Sequence, residues 1–227
     1  MIPIGDEEKI SGTPWVNISL VFLNIGVFIY IYFFSGAPIH IIQKFGFVPA
    51  HFFSFGWSPT IDPLKYATLV TANFLHADYM HITGNMLFLA VFGDNVEARL
   101  GRFRYLVFYI LCGIIAMLVQ GYSSKGSTLI VIGASGAIAG VMGAFYIILP
   151  RARIKSWFIF FTKDISAVYY IFIWFLYNLA LGFLNLEGKA IESTAWWAHI
   201  GGFIAGALLI NLFLTCAPKA KKSKADK

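Results

Sequence analysis

Charge is what this sequence has least of: Asp, Glu, Lys and Arg make up only 12% of its 227 residues, about half the share usual in a soluble globular domain. That scarcity excludes an ordinary water-soluble enzyme. Cysteine is nearly absent as well, with only Cys112 and Cys216, which excludes a disulfide framework and a CxxC metal site. No Asp or Glu falls near the middle of any long apolar run, which argues against a proton-driven transporter. The five histidines, His40, His51, His76, His81 and His199, include no i, i+4 pair and no HExxH. No metal or other cofactor is therefore expected. What the chain does have is 59% hydrophobic and 18% aromatic residues. A membrane-spanning helix needs about 20 mostly apolar residues. The chain thus reads as one polytopic membrane domain over residues 1–215, its first twelve residues flexible, followed by a basic tail over 216–227. The net charge of +6 is concentrated in that tail, at Lys219, Lys221, Lys222, Lys224 and Lys227. This suits a cytoplasmic membrane surface rather than nucleic acid as a partner.

Charge-free stretches locate the spans, because an ionised side chain at mid-bilayer costs about 2.5 to 3.5 kcal/mol. Six such stretches predict helices near 16–34, 79–92, 105–121, 129–149, 166–186 and 194–215. The first is read as an uncleaved helix, since Asp6, Glu7 and Glu8 precede it and no small-residue cleavage pattern follows. With six crossings, the side of the N-terminus carries Lys9, Arg99, Arg102, Arg104, Arg151, Arg153, Lys155, Lys163 and the lysine tail. The other side carries only Lys44, Lys65, Lys125 and Lys189. Both termini are therefore expected in the cytoplasm. The first connection, near 35–78, is long and crowded with Phe45, Phe47, Phe52, Phe53, Phe55 and Trp57. It is expected to lie in the outer interface as short amphipathic pieces, serving as a lipid-facing plug or a lateral gate. The brevity of the chain suggests a prokaryotic plasma membrane.

Within these spans, Gly133-Ala134-Ser135-Gly136 forms a G-x-S-G quartet, and Gly136, Gly140 and Gly143 give a face that a neighbouring helix can approach closely. The last span carries His199 on one face with Gly202 and Gly206. Counted at about 1.5 Å per residue, Ser135 lies roughly 10 Å beyond Thr128 and His199 roughly 9 Å beyond Ser193, so the two stand at similar depth. A serine hydroxyl becomes a useful nucleophile when an imidazole accepts its proton, and the pair points to acyl transfer. His81 and, four residues on, Asn85 could donate to a developing oxyanion together with the Ser135 amide. His76 is given a structural role at the helix entrance. Taken singly, each of these residues reads as packing or as an interhelical hydrogen bond. Together they occupy the outer half of three helices that enter from one side, where intramembrane polar groups are functional candidates. A binding protein without chemistry, and a channel or passive carrier, are the rival readings.

The combination resembles the rhomboid family of intramembrane serine proteases. The resemblance runs through Thr71-Ala72-Asn73-Phe74-Leu75-His76, His81-x3-Asn85 and Glu97-Ala98-Arg99-Leu100-Gly101. It continues through Gly133-Ala134-Ser135-Gly136-x3-Gly140-x2-Gly143 to Ala198-His199-x2-Gly202-x3-Gly206. It implies an all-α membrane protein, a six-transmembrane-helix rhomboid-like bundle with a long interfacial first loop. It also implies Ser135 as nucleophile, His199 as general base and acid, and an oxyanion site at His81, Asn85 and the Ser135 amide. The substrates implied are single-span transmembrane proteins cut near the outer face, entering from the lipid past the fifth helix. Two positions depart from the usual pattern. Ala139 stands where many relatives carry an aromatic ring that supports the imidazole, and Ala67-Thr68 stands where many have Trp-Arg.

Overall fold

The computed structural model describes residues 1–8, 10, 12–53, 62–186 and 194–215. The basic tail, Cys216, Phe55, Trp57 and Lys189 lie outside the described residues. The chain is mostly helical. Helix α1 (Trp15–Ile29) continues through a π-helical turn, Tyr30–Phe34. Three short helices follow, α2 (Pro38–Phe45), α3 (Pro49–Phe53) and α4 (Pro63–Thr71). Then come α5 (Tyr79–Leu100), α6 (Arg102–Ser123), α7 (Ser135–Ile148), α8 (Ala167–Leu186) and α9 (Trp196–Thr215). Among the described residues, four segments are long and apolar enough to cross a bilayer: Trp15–Phe34, Arg102–Ser123, Ala167–Leu184 and Trp196–Thr215. Helix α5 has the length but carries Asp94, Glu97 and Arg99 near its C-terminal end. Helix α7 is apolar but has only 14 residues, roughly 20 Å.

Local signals set the boundaries that matter for the site. The Asp78 side chain accepts the His81 N–H at 2.9 Å and caps α5, satisfying one of the orphan donors of a first helical turn. Gly101, at φ 77°, turns the chain from α5 into α6, a conformation that glycine adopts without a Cβ clash. The Gln120 side chain of α6 accepts the Ala198 N–H at 3.2 Å, doing the same service for the first turn of α9. At the other end of α5, the Glu97 carboxylate accepts the N–H groups of Val16 at 3.1 Å and Asn17 at 2.6 Å, and so caps α1 across 80 residues of sequence.

Helix α7 is the centre of the bundle, and every residue from 136 to 145 is buried. It packs most closely on α9, with backbones nearly in contact: a Cβ built on Gly202 would stand 2.0 Å from the Gly136 carbonyl oxygen, and one on Gly206 1.8 Å from that of Gly140. Small residues on both faces allow this approach. Around it, Phe92, Phe108, Tyr109, Tyr170 and Leu89 join its own Phe145 in the core.

Three expectations need correction. The protein is not all-α: Ile2–Asp6, Arg153–Phe158 and Phe161–Ser166 (β1, β2 and β3) form an antiparallel three-stranded sheet in the order β1-β2-β3. The stretch Arg153–Phe158 alternates exposed and buried side chains, with Ile154 and Ser156 turned inward, the two-residue period of a strand. For the same reason the first residues are not loose, because β1 pairs with β2 and the Asn95 side chain donates to Asp6 at 3.1 Å. The fourth span does not begin near residue 129, since α7 starts at Ser135 and the preceding residues pair with another segment. The first connection, expected as short pieces forming a plug or a gate, is built of the short helices α2, α3 and α4 and also reaches inward. Its Phe47 is fully buried, and Phe47 and Val131 exchange backbone hydrogen bonds of 3.0 and 2.7 Å. That bridge consumes backbone groups of Val131 that a longer α7 would need.

Candidate active site

The site lies at the end of the bundle where α5, α7 and α9 all begin. Ser135 is the first residue of α7, His81 the third of α5 and His199 the fourth of α9. The hairpin of β2 and β3 follows the C-terminal end of α7 and is thus a helix length away from it. Ser135 is delivered by a short non-helical run whose shape depends on Gly133. There φ is 122°, and a Cβ would stand 2.6 Å from His81 Nε2, so a side chain is excluded both by conformation and by space. The Gly133 N–H donates to the Ala72 carbonyl at 2.9 Å, which ties this run to the end of the first connection.

His199 Nε2 lies 2.7 Å from Ser135 Oγ, inside ordinary hydrogen-bond range. The two residues come from helices that meet through Gly136, Gly140, Gly202 and Gly206, and the nearness of those backbones brings hydroxyl and imidazole together. Both are half-buried. The other ring nitrogen, Nδ1, lies 2.6 Å from Oδ1 of Asn178 in α8, and the Asn178 amide group donates to the Trp174 carbonyl at 2.7 Å. The imidazole is flanked by two indoles, Trp174 tilted at 5.9 Å and Trp196 edge-on at 6.0 Å between ring centroids. Position 139 offers only a buried alanine methyl.

Residue reasoning named Ser135, His199, His81 and Asn85, and the fold gathers all four at this end of the bundle. Gly133 faces both of the last two: the Cβ that would approach His81 would also stand 3.7 Å from Asn85 Nδ2. That amide nitrogen is buried and has no hydrogen-bond partner among the described residues, an unspent donor beside Gly133. The Ala77 N–H reaches His81 Nδ1 at 3.5 Å, a long contact that favours the proton on Nε2. His76 packs edge-on against His81 at 5.1 Å and is buried, consistent with a structural part at the entrance to α5. Burial pushes its imidazole down to about 3, aided by His81 and opposed by the Phe74 backbone and Asp78.

Sequence reasoning missed Asn178 and Gln120. Asn178 stands mid-helix in the otherwise apolar run of α8, and an amide at such a place was itself a signal. Gln120 sits one turn from the end of α6, where nothing local shows that it reaches α9. Among the described residues, no cluster of three or more His, Cys, Asp or Glu could hold a metal ion. His40 and His51 lie exposed on α2 and α3. An apolar groove of about 610 Å³ opens elsewhere, lined by Phe53, Ile115, Leu118, Val119, Tyr122 and Trp197; neither Ser135 nor His199 lines it.

Several apolar helices around a serine and a histidine in hydrogen-bond contact define an integral membrane protein with a hydrophilic pair set into one end of its bundle. The Rhomboid domain family model matches residues 63–216, which takes in that pair, and the chain belongs to the rhomboid family. It is 26% identical over 222 residues to RHOMBOID-like protein 6, mitochondrial, of Arabidopsis thaliana, covering 87% of this chain and 68% of that protein. RHOMBOID-like protein 5 of the same plant is 30% identical over 141 residues, 62% of this chain and 42% of that protein. Rhomboid-like protease 3 of Toxoplasma gondii is 27% identical over 158 residues, 68% of this chain and 54% of that protein. These relatives are eukaryotic and lend nothing to the expectation of a prokaryotic plasma membrane.

Proposed function

We propose that this protein is an intramembrane serine endopeptidase that cuts single-span transmembrane proteins through an acyl-enzyme. The observation that carries the proposal is the 2.7 Å contact between His199 Nε2 and Ser135 Oγ. In the reaction, Ser135 Oγ attacks the scissile carbonyl carbon while its proton passes to His199 Nε2. Negative charge gathers on the carbonyl oxygen, for which the Asn85 amide, His81 Nε2–H and the Ser135 backbone N–H are the donors at hand. Collapse breaks the C–N bond, and His199 returns its proton to the leaving amine. A water molecule, deprotonated by the same imidazole, then attacks the acyl carbon and releases Ser135. No carboxylate takes part, and no cofactor is required by these steps.

The remaining parts of the reading follow from charge and topology. Six crossings put both termini, the arginines at the junction of α5 and α6 (Arg99, Arg102 and Arg104), and the hairpin of β2 and β3 on the cytoplasmic side. The starts of α5, α7 and α9 then face outward, so water reaches Ser135 from outside and cleavage falls near the outer membrane face. A substrate helix enters from the lipid past α8 and the first connection. The test is cleavage of a single-span substrate by purified protein in lipid vesicles, with Ser135→Ala and His199→Ala in parallel. The wild type should cleave and both variants should lose at least about a thousandfold in kcat. A folded wild type that neither cleaves nor takes up a serine-directed phosphonate would leave a protein that only binds membrane helices, and ion flux through the same vesicles would mark a channel.

A further inference from the structure

We infer that Asn178 is a positioning residue that holds His199 in the tautomer with its proton on Nδ1, with the ring aimed at Ser135. The inference rests on the protease reading for its consequence, but not for its geometry. The steps begin at Trp174. A backbone carbonyl can only accept, so the Asn178 atom 2.7 Å from the Trp174 oxygen is the NH2 group. The opposite orientation would set two oxygens against each other at that distance. Oδ1 is thereby turned to His199, 2.6 Å from Nδ1. An amide oxygen can only accept, so Nδ1 carries a proton. In a neutral imidazole the other nitrogen is then bare. That nitrogen is Nε2, 2.7 Å from Ser135 Oγ, and it accepts the serine proton. The chain Trp174 carbonyl, Asn178 amide, imidazole, serine hydroxyl therefore has one consistent arrangement of protons, and it is the one that general-base catalysis needs.

The same amide has no other evident purpose. Asn178 is almost fully buried, 2% exposed, in a helix whose other residues at this depth are apolar, and an unpartnered amide there would carry a desolvation cost. With a methyl group at Ala139, four residues after the serine, the restraint on the ring comes instead from α8, through Asn178 on its Nδ1 edge and Trp174 beside its face. Helix α8 thus contributes to proton transfer although it supplies no reacting atom. Any displacement of α8 that breaks the 2.6 Å contact would release the imidazole to rotate or to shift its proton to Nε2, and in that tautomer it could only donate to Ser135.

The experiment uses the full chain in micelles and in vesicles, with Asn178→Ala and Asn178→Asp. Nitrogen-15 spectra of histidine-labelled protein report which ring nitrogen carries the proton, and the His199 signal is the one lost in His199→Gln. The wild type should show Nδ1–H. Asn178→Ala should lose that preference, with kcat and the rate of Ser135 labelling by a fluorophosphonate falling about 10- to 100-fold and KM little changed. Asn178→Asp keeps an acceptor and should recover most of the rate. Its carboxylate favours imidazolium, and His81 is the titratable ring among the described residues that bears on His199, so the acid limb of the rate profile should move up by roughly 1 to 3 pH units. A wild-type His199 protonated on Nε2, or an Asn178→Ala variant with unaltered tautomer and kcat, overturns the inference. An inactive wild type that still shows Nδ1–H, lost in Asn178→Ala, keeps the inference and overturns the protease reading alone. Should the alanine variant not fold, Asn178→Asp decides: an unmoved acid limb and a wild-type tautomer on Nε2 would each refute it.

Discussion

Replacing Gly202 by alanine tests whether the seam between α7 and α9 sets the distance between the serine and the histidine. The added Cβ would stand 2.0 Å from the Gly136 carbonyl oxygen and 3.0 Å from its carbonyl carbon. Those are backbone atoms inside the most buried helix of the bundle, so neither rotates away. An ordinary carbon to oxygen contact needs close to 3.4 Å, so the two helices must part by about 1.4 Å at this level. Gly136 follows Ser135 directly, and Gly202 lies one helical turn past His199. The parting is therefore transmitted almost whole to the 2.7 Å hydrogen bond, opening it to about 4 Å, outside bonding range. Overpacking of this kind costs about 1 to 3 kcal/mol of stability. The loss of alignment should cost about a hundredfold in kcat. The assay is the rate of Ser135 labelling by a fluorophosphonate, with cleavage and thermal unfolding measured on the same preparations. Gly26→Ala is the control, because a Cβ there meets nothing within 4 Å, and it should leave labelling and cleavage unchanged without lowering the melting temperature. A Gly202→Ala protein that labels within twofold of the wild type and melts at the same temperature would show that the seam yields freely, and would refute the reasoning.

Three further outcomes follow from the structure. Glu97→Gln should destabilise the fold by about 1 to 2 kcal/mol, read as a lower thermal midpoint, because the charge that accepts two N–H groups at the start of α1 is removed; Glu97→Ala should cost more. Ala139→Tyr should lower the thermal midpoint rather than raise activity, because Ala139 is fully enclosed beside Gly202 and an added ring overpacks the seam. His76 gives a pH dependence. Its folded value, about 3, lies below the model-peptide value of 6.5, so the unfolded chain takes up the proton first. Its stability is intact above pH 6.5 and falls as the pH drops toward 3, by at most about 1.4 kcal/mol per pH unit. Thermal midpoints between pH 7 and pH 5 should fall less steeply in His76→Gln than in the wild type, and equal slopes would count against the assignment.

Much of the site could be read from residues alone because charge is so costly in lipid. Long stretches without Asp, Glu, Lys or Arg mark helices, and the few polar groups left inside them stand out. Ser135, His81, Asn85 and His199 were visible for that reason, and the glycine spacing on two spans pointed to their meeting. Other features had no local signal. The apolar run from 129 to 134 has the composition of a helix, yet it is not helical, because Val131 is bound to Phe47 and the Gly133 N–H to Ala72. Outside a helix a residue advances by up to about 3.3 Å rather than 1.5 Å, so depths counted along that run as helix are wrong although the pair does meet. The sheet escaped because β1 finds its partner some 150 residues away, and no pattern within five residues can announce that.

Asn178 marks a different boundary of what sequence can carry. Its type and its apolar neighbours were visible, but its role depends on two distances, 2.7 Å to Trp174 and 2.6 Å to His199, and on the one-way hydrogen bonding of a carbonyl. The site then divides into two separable requirements. The glycines of α7 and α9 decide how far the hydroxyl stands from the imidazole, while α8 decides which nitrogen is free to receive its proton. Gly202→Ala should disturb the first and leave His199 protonated on Nδ1. Asn178→Ala should disturb the second and leave the helix spacing intact. Because each acts on a separate condition for the same proton transfer, the double variant should be little slower than the worse single one, as happens when residues work as a unit. Losses that instead multiplied would mean that the hydroxyl and the imidazole contribute independently, and that the hydrogen bond between them is not the working contact.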